Sequence, residues 1–276
     1  MTDQLQERHF AKLSRLVEEH SGIRLPPAKR TMVEGRLRKR IRALGITKLE
    51  DYGHAIFEGG KLNDEFRHLI DCVTTNKTDF FREPDHFDFL RERALPLLAS
   101  LRNGANASYK FWSAAASIGA EAYTIAMVAA EALGLEGRRF SVLGTDISTE
   151  VIAQAQCAVY PAAMIDPVPP RLRDRYVMRA IDAQRREVRI VPELRRTVRF
   201  QCLNLMDPTY RVDRDFDVIF CRNILIYFEK PIQKAVLEKL CRHLRPGGYL
   251  FVGHSETACG LGLPITQQAP SIFVRS

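Results

Sequence analysis

The run Phe111-Trp112-Ser113-Ala114-Ala115-Ala116-Ser117-Ile118-Gly119-Ala120-Glu121, followed by an apolar segment ending at Asp146, constrains this chain more than any other feature. It reads as a buried strand, a turn of small residues, a helix start, and a second strand that closes on an acid. In a doubly wound sheet that order builds a nucleotide-type cleft, because ligands sit at the carboxyl ends of the strands. A dinucleotide fingerprint would need glycine at Ala114 and Ala116, where backbone must approach a pyrophosphate. Alanine there points instead to an adenosine ligand without pyrophosphate, of which S-adenosylmethionine is the common one. Asp146 suits ribose hydroxyls in either case.

A chain of 276 residues, 46% of them hydrophobic, buries one substantial core with room for a small accessory domain. No run approaches the ~20 apolar residues of a membrane helix, and the first residues lack an apolar signal core. A cytoplasmic protein without membrane insertion is expected. Cys72, Cys157, Cys202, Cys221, Cys241 and Cys259 are scattered and form no Cys-x-x-Cys pair. That argues against a zinc site or a disulfide framework and for reduced, mostly buried thiols. The net charge of +8 draws anionic partners, and nucleic acid, an acidic protein surface and anionic lipid all satisfy it.

The first 75 residues read as helices. Phe10, Leu13, Leu16 and Val17 recur at helical spacing with Gly22 as a stop. A second helix follows Pro26-Pro27, with Val33, Leu37, Ile41 and Leu44 on its apolar stripe and Gly45 ending it. Lys29, Arg30, Arg36, Arg38, Lys39, Arg40 and Arg42 stand on its other faces against a single acid, Glu34. Such a run is either a solvated face or a docking surface for something acidic. Beyond Phe87 helices and strands alternate: a helix over Asp88–Leu101, strands over Tyr109–Ala115, Phe140–Asp146, Phe216–Cys221, Tyr249–Gly253 and Ser271–Arg275, and helices over Glu121–Leu133, Thr149–Ala158 and Ile232–Leu244. Arg245-Pro246-Gly247-Gly248 reads as stop and turn. The alternation predicts a mostly parallel sheet. Tyr160–Phe200, rich in proline and arginine, breaks it and reads as a small antiparallel insertion that includes Thr197–Phe200.

Three stretches converge on the cleft mouth in this reading. In Thr75–Arg82, Asn76, Thr78 and Arg82 interleave with Phe80 and Phe81; the alternative is a helix start capped by Thr78 or Asp79. In Gln201–Leu205, Asn204 could meet an adenine edge or be a turn residue. Arg222-Asn223 leaves the Phe216–Cys221 strand at its carboxyl end between two apolar runs, which packing does not explain; Tyr227 is a core aromatic or a group beside the reacting atoms. Gly253-His254-Ser255-Glu256 cannot form a hydrolase triad from adjacent residues.

Together, Thr-Asn-Lys-Thr-Asp-Phe-Phe-Arg-Glu (75–83), Trp-Ser-Ala-Ala-Ala-Ser (112–117), Thr-Asp-Ile-Ser (145–148), Phe-Cys-Arg-Asn-Ile-Leu-Ile-Tyr-Phe (220–228) and Gly-His-Ser-Glu (253–256) resemble the CheR family of chemoreceptor glutamate methyltransferases. The basic helix, Met-Val-x-x-Arg-Leu-x-x-Arg (32–40), fits as well. The resemblance implies an α/β fold: a Rossmann-like S-adenosylmethionine-dependent methyltransferase sheet with an N-terminal all-helical domain and a small antiparallel β subdomain insertion. Residues 1–75 would form the basic receptor-docking domain, 76–86 a linker contributing to the cofactor site, and 87–276 the methyltransferase domain, with 160–200 as the insertion. It also implies methylation of receptor glutamates to methyl esters, with S-adenosylhomocysteine as the other product and no metal. Asn76, Thr78, Arg82, Glu121, Asp146, Asn204, Leu205, Arg222 and Asn223 would contact the cofactor, and Arg82 and Tyr227 would lie nearest the methyl transfer. The cytoplasmic domain of a chemoreceptor is the expected partner, docked through Arg30, Arg36, Arg38, Lys39, Arg40 and Arg42, with a receptor C-terminal peptide on the β subdomain. A monomer that binds no nucleic acid is expected.

Two places depart from the family pattern. Ser117-Ile118-Gly119-Ala120-Glu121-Ala122-Tyr123 stands where the family has Ser-Thr-Gly-Glu-Glu-Pro-Tyr, and the loop Arg179–Arg186 has no glycine. Two rival functions are a nucleic-acid methyltransferase, which the charge permits, and a cofactor-binding adaptor without catalysis.

Overall fold

The computed structural model describes residues 3–74, 77–101, 107–135, 139–182 and 184–276. They divide into two compact units: Met1–Thr75 with Asn204–Met206 and Tyr227–Glu229, and the remainder.

The first unit is built on helices α1 (Glu7–Ser21), α2 (Arg30–Ala43), α3 (Leu49–Phe57) and α4 (Leu62–Val73). Gly22 ends α1 in the left-handed conformation, its N–H bonding the Glu18 carbonyl at 2.8 Å. Phe10, Leu13, Val17, Val33, Leu37, Ile41, Tyr52, Ile56 and Leu69 fill the core, each large side chain contributing about 1.5–3 kcal/mol. Leu16 is only half-buried, and Leu44, past the last turn of α2, is exposed.

The second unit carries ten strands among the described residues: β1 (Tyr109–Ala114), β2 (Phe140–Asp146), β3 (Val159–Pro161), β4 (Val177–Arg179), β5 (Glu187–Ile190), β6 (Val198–Cys202), β7 (Phe216–Cys221), β8 (Leu244–Val252), β9 (Ile265–Ala269) and β10 (Ile272–Arg275). Seven form one sheet in the order β6-β2-β1-β7-β8-β10-β9. The first five run parallel, and β10 pairs antiparallel with β8 and β9. The chain leaves β1 toward β2 on one side and meets β7 on the other, so the topological switch point lies at β1.

Helices α5 (Pro84–Phe89) and α6 (Leu95–Leu101) continue through a π-helical turn at Leu90–Ala94. Further along come α7 (Ala120–Leu133), α8 (Thr149–Cys157), α9 (Pro170–Tyr176), α10 (Pro192–Arg195) and α11 (Lys230–His243). Strand β7 is buried along its whole length, Phe216-Asp217-Val218-Ile219-Phe220-Cys221. Its one acid, Asp217, accepts from the Lys110 backbone N–H at 2.8 Å and from Arg245 at 3.0 Å. Phe220 stacks on Phe251 at 4.4 Å and on Phe87 at 5.6 Å, tying the sheet to α5.

The small antiparallel sheet has the order β3-β5-β4, and its Tyr160, Val188 and Ile190 join the same buried cluster as Phe111 and Phe220. Four sequence expectations need correction. Thr197–Phe200 is not part of that insertion: β6 pairs with β2 at the edge of the large sheet. The helix expected from Asp88 begins at Pro84, where a missing N–H does no harm, so neither Thr78 nor Asp79 caps it. Arg245–Gly248 is no turn but the bulged start of β8. Of the six free cysteines, Cys221 and Cys241 alone are buried, while Cys157, Cys202 and Cys259 are exposed. No helix among the described residues is long and apolar enough to cross a membrane.

Candidate active site

The turn after β1 alternates in backbone hand. Ala115 (φ 64°), Ser117 (φ 51°) and Gly119 (φ 88°) are all left-handed, and two of the three carry a Cβ. Non-glycine residues hold that conformation at a cost of about 1–2 kcal/mol each, so the surroundings must fix it. They do. The Ala116 N–H bonds the Thr145 carbonyl at 2.8 Å, and the Ser117 N–H bonds Asp146 Oδ2 at 2.9 Å. Asp146 Oδ1 accepts from the Ser148 N–H at 3.0 Å, and Ser148 Oγ accepts from Val151 to cap α8. The end of β2 and the turn are thus one hydrogen-bonded piece. A Cβ at Gly119 would lie 2.9 Å from both Ala155 and Phe200, so this position tolerates only glycine.

Glu121, in the first turn of α7, accepts from Ser113 Oγ at 2.7 Å. Arg222 follows directly on β7 with its side chain 1% exposed. Its Nη2 lies 3.1 Å from Glu83 and also donates to the Arg82 carbonyl, while Nη1 lies 3.5 Å from Glu121. The Phe87 and Phe220 rings flank the guanidinium at 5.4 and 5.8 Å. Asn223, again left-handed (φ 57°), donates from Nδ2 to Glu83 at 3.0 Å. Glu256 pins the loop from below: it accepts the N–H groups of Gly253, Asn223 and Ile226 at 2.7, 2.8 and 3.2 Å.

The electrostatics follow burial. Burial raises Glu121 above the usual carboxylate range against the opposing pull of Arg222 and Ser113. Burial raises Glu256 too, although its backbone donors oppose it. For Glu83 burial works against the charge, but the Asn223 amide and the Arg222 charge prevail and hold it below the usual range. Arg82 is half-buried, with Nη1 3.2 Å from the Lys77 carbonyl. Thr78 is half-buried as well, and Asn76 lies outside the described residues.

The structure therefore brings Arg82, Glu121, Asp146, Arg222 and Asn223 to the carboxyl edge of β1, β2 and β7. Asn204–Met206 and Tyr227–Glu229 cluster with the helical unit. Asn204 donates to the His20 carbonyl at 2.7 Å and accepts from the Met206 N–H at 2.9 Å, the bonding of a turn residue. Tyr227 is half-buried, with Lys29 Nζ 5.0 Å from its ring centre. Glu83 and Glu256 are the site's unforeseen members. The one signal for them was their place inside the two motifs Arg82-Glu83 and Gly253–Glu256.

Arg222 also says whether a nucleoside with an amino-acid tail fits. Its Nε and Nη1 are buried and make no hydrogen bond to any described residue. Buried donors of that kind require an acceptor, and a bound carboxylate satisfies them.

Several cations of the basic helix have partners within the helical unit. Arg40 forms a two-pronged pair with buried Glu65, at 2.9 and 2.6 Å, which Tyr52 also reaches at 3.0 Å. Arg30 pairs with buried Glu34 at 3.0 Å, Arg36 donates to the Val73 and Thr74 carbonyls at 3.1 and 2.8 Å, and Arg38 donates to the Asp3 carbonyl at 2.6 Å. Lys39 and Arg42 have exposed side chains.

With this geometry in place, comparison with known proteins is decisive. Residues 8–74 match the all-alpha domain of CheR methyltransferases, and residues 76–263 match their SAM-binding domain. The chain belongs to the CheR methyltransferase family. It is 37% identical to a chemotaxis protein methyltransferase of Salmonella typhimurium, over 99% of this chain and 91% of that protein. The Escherichia coli protein of the same name is 38% identical over 99% of this chain and 92% of its own length. That of Borreliella burgdorferi is 36% identical over 91% and 88%. This CheR-family chain is accordingly an S-adenosylmethionine-dependent methyltransferase of the chemotaxis type, and the β1 turn with Asp146 sits in its SAM-binding domain.

Proposed function

We propose that the protein methylates glutamate side chains on the cytoplasmic domains of chemoreceptors, forming methyl esters and S-adenosylhomocysteine in sensory adaptation. The observation that carries this reading is the buried, donor-rich Arg222 beside Glu121 at the switch point of a CheR-family sheet. Asp146 would accept from ribose hydroxyls, Arg222 would take the carboxylate of the methionine tail, and Glu121, Asn223, Thr78, Arg82 and Asn76 would complete the cofactor's surroundings. For Asn204, Leu205 and Tyr227 the support is the family resemblance.

Bound S-adenosylmethionine supplies a methyl group already activated on sulfur. A glutamate side chain has a pKa near 4.3 and is already the anionic nucleophile at neutral pH, so no general base is required. The chain must place that oxygen at about 3–3.5 Å, in line, with water excluded. Arg82 is suited to hold the incoming carboxylate without protonating it, and Tyr227 to shape the approach. On α2, exposed Lys39 and Arg42 would meet the receptor, and the edges of the small sheet would receive a receptor C-terminal peptide.

Incubation with methyl-labelled S-adenosylmethionine and a receptor cytoplasmic fragment tests the reading. Label released from the receptor as methanol by base is the expected result. Label in RNA or DNA, or none anywhere, refutes it. Arg82→Ala is expected to lose most transfer while cofactor binding persists, and unchanged turnover would remove Arg82 from the reaction.

A further inference from the structure

Among the described residues two groupings have the side chains of a metal site: His9, His54 and Glu58, and Glu83, His86 and His254. In each the carboxylate is already engaged. Glu58 bonds His9 at 3.0 Å and His54 at 2.7 Å, and Glu83 Oε2 faces the Arg222 guanidinium at 3.1 Å, which stands where a metal cation would. What the second grouping builds is a support for Arg222.

We propose that Glu83 is a positioning residue: it holds the Arg222 guanidinium and the Asn223 amide in the pose that receives the cofactor, without touching the cofactor itself. This rests on the cofactor-site reading above. Glu83 adopts a left-handed backbone (φ 56°) immediately before Pro84, a costly conformation for a glutamate that turns its side chain inward. Its carboxylate is divided between partners, with Oε1 accepting from Asn223 Nδ2 and Oε2 facing Arg222 Nη2. Both carboxylate oxygens thus face side chains of the protein. Behind Oε2 stands His86, fully buried, with Nδ1 3.5 Å from that oxygen and Nε2 3.0 Å from Ser271 Oγ.

The arrangement has a definite alternative. Without the Glu83 charge, the nearest acid to the guanidinium is Glu121, 3.5 Å from Nη1. Pairing there would withdraw Arg222 and Glu121 from the ligand together.

Glu83→Gln tests this, because it keeps the volume and an acceptor for Asn223 but removes the charge. Calorimetric binding of S-adenosylmethionine and S-adenosylhomocysteine is measured beside KM, kcat and the melting temperature, with Asp146→Asn in parallel. Cofactor Kd and KM are expected to rise about tenfold or more in Glu83→Gln, the scale of one charged hydrogen bond. Receptor KM, kcat and melting temperature should be little changed, and Glu83→Asp should recover part of the affinity. Unchanged cofactor affinity in Glu83→Gln while Asp146→Asn weakens it overturns the proposal. So does a loss confined to kcat, or a parallel fall of every parameter with melting temperature. If neither variant weakens binding, the cofactor-site reading itself fails and takes this inference with it.

Discussion

His86 is fully buried, and that burial, reinforced by the Arg222 charge, lowers it to about 4 even though Asp85 and Glu83 pull the other way and His254 stands beside it. Unfolded histidine titrates near 6.5. Between those values the unfolded chain binds a proton that the folded chain refuses, so stability is complete above about 6.5 and declines as pH falls toward 4. Thermal melts from pH 7.5 to 4.5 should show this decline, with a shallower slope in His86→Gln; identical slopes would remove His86 as the cause. At this scale much of the site was legible in sequence. Asp146 and Arg222-Asn223 stood out because an acid or a polar pair at the end of an apolar run has no packing reason to be there, and Glu121 entered through the family resemblance. Glu83 and Glu256 were not, because a supporting carboxylate is defined by the backbone N–H groups and guanidinium it meets, which sequence spacing does not encode.

Element boundaries show where local pattern is sufficient. Phe140–Asp146 and Phe216–Cys221 are strands over the residues expected, since buried central strands of a parallel sheet read as unbroken apolar runs. Val198–Cys202 misled for the opposite reason: it lies at the sheet edge with a half-exposed, alternating pattern, which is how a strand of a small antiparallel insertion also looks. In the β1–α7 turn, Gly119 packs closely against α8 and β6. Gly119→Ala adds a Cβ at positive φ, 2.9 Å from Ala155 and Phe200. A loss of about 1–3 kcal/mol in denaturant melts is expected, with weaker cofactor binding. Wild-type binding and stability would show that the turn can shift without consequence.

Across the whole molecule, the fold class was legible because helical and alternating patterns segregate along the chain. The ion pairing of the basic helix was not, since Glu65, the acid that Arg40 meets, lies 25 residues away on another helix. Arg40→Ala leaves Glu65 buried and unpaired, a loss of about 3–5 kcal/mol. Hydrogen exchange should show it as lost protection in α1–α4, with the β1, β2 and β7 amides still protected. Uniform loss across both units would mean that they unfold as one. The chain's single tryptophan, Trp112, is fully buried in β1 with its indole N–H on Thr145 at 2.9 Å. Its emission is therefore a native optical probe of the sheet and of the α11 end packed on it, and a red shift under denaturant will date the opening of the SAM-binding domain without any label being attached.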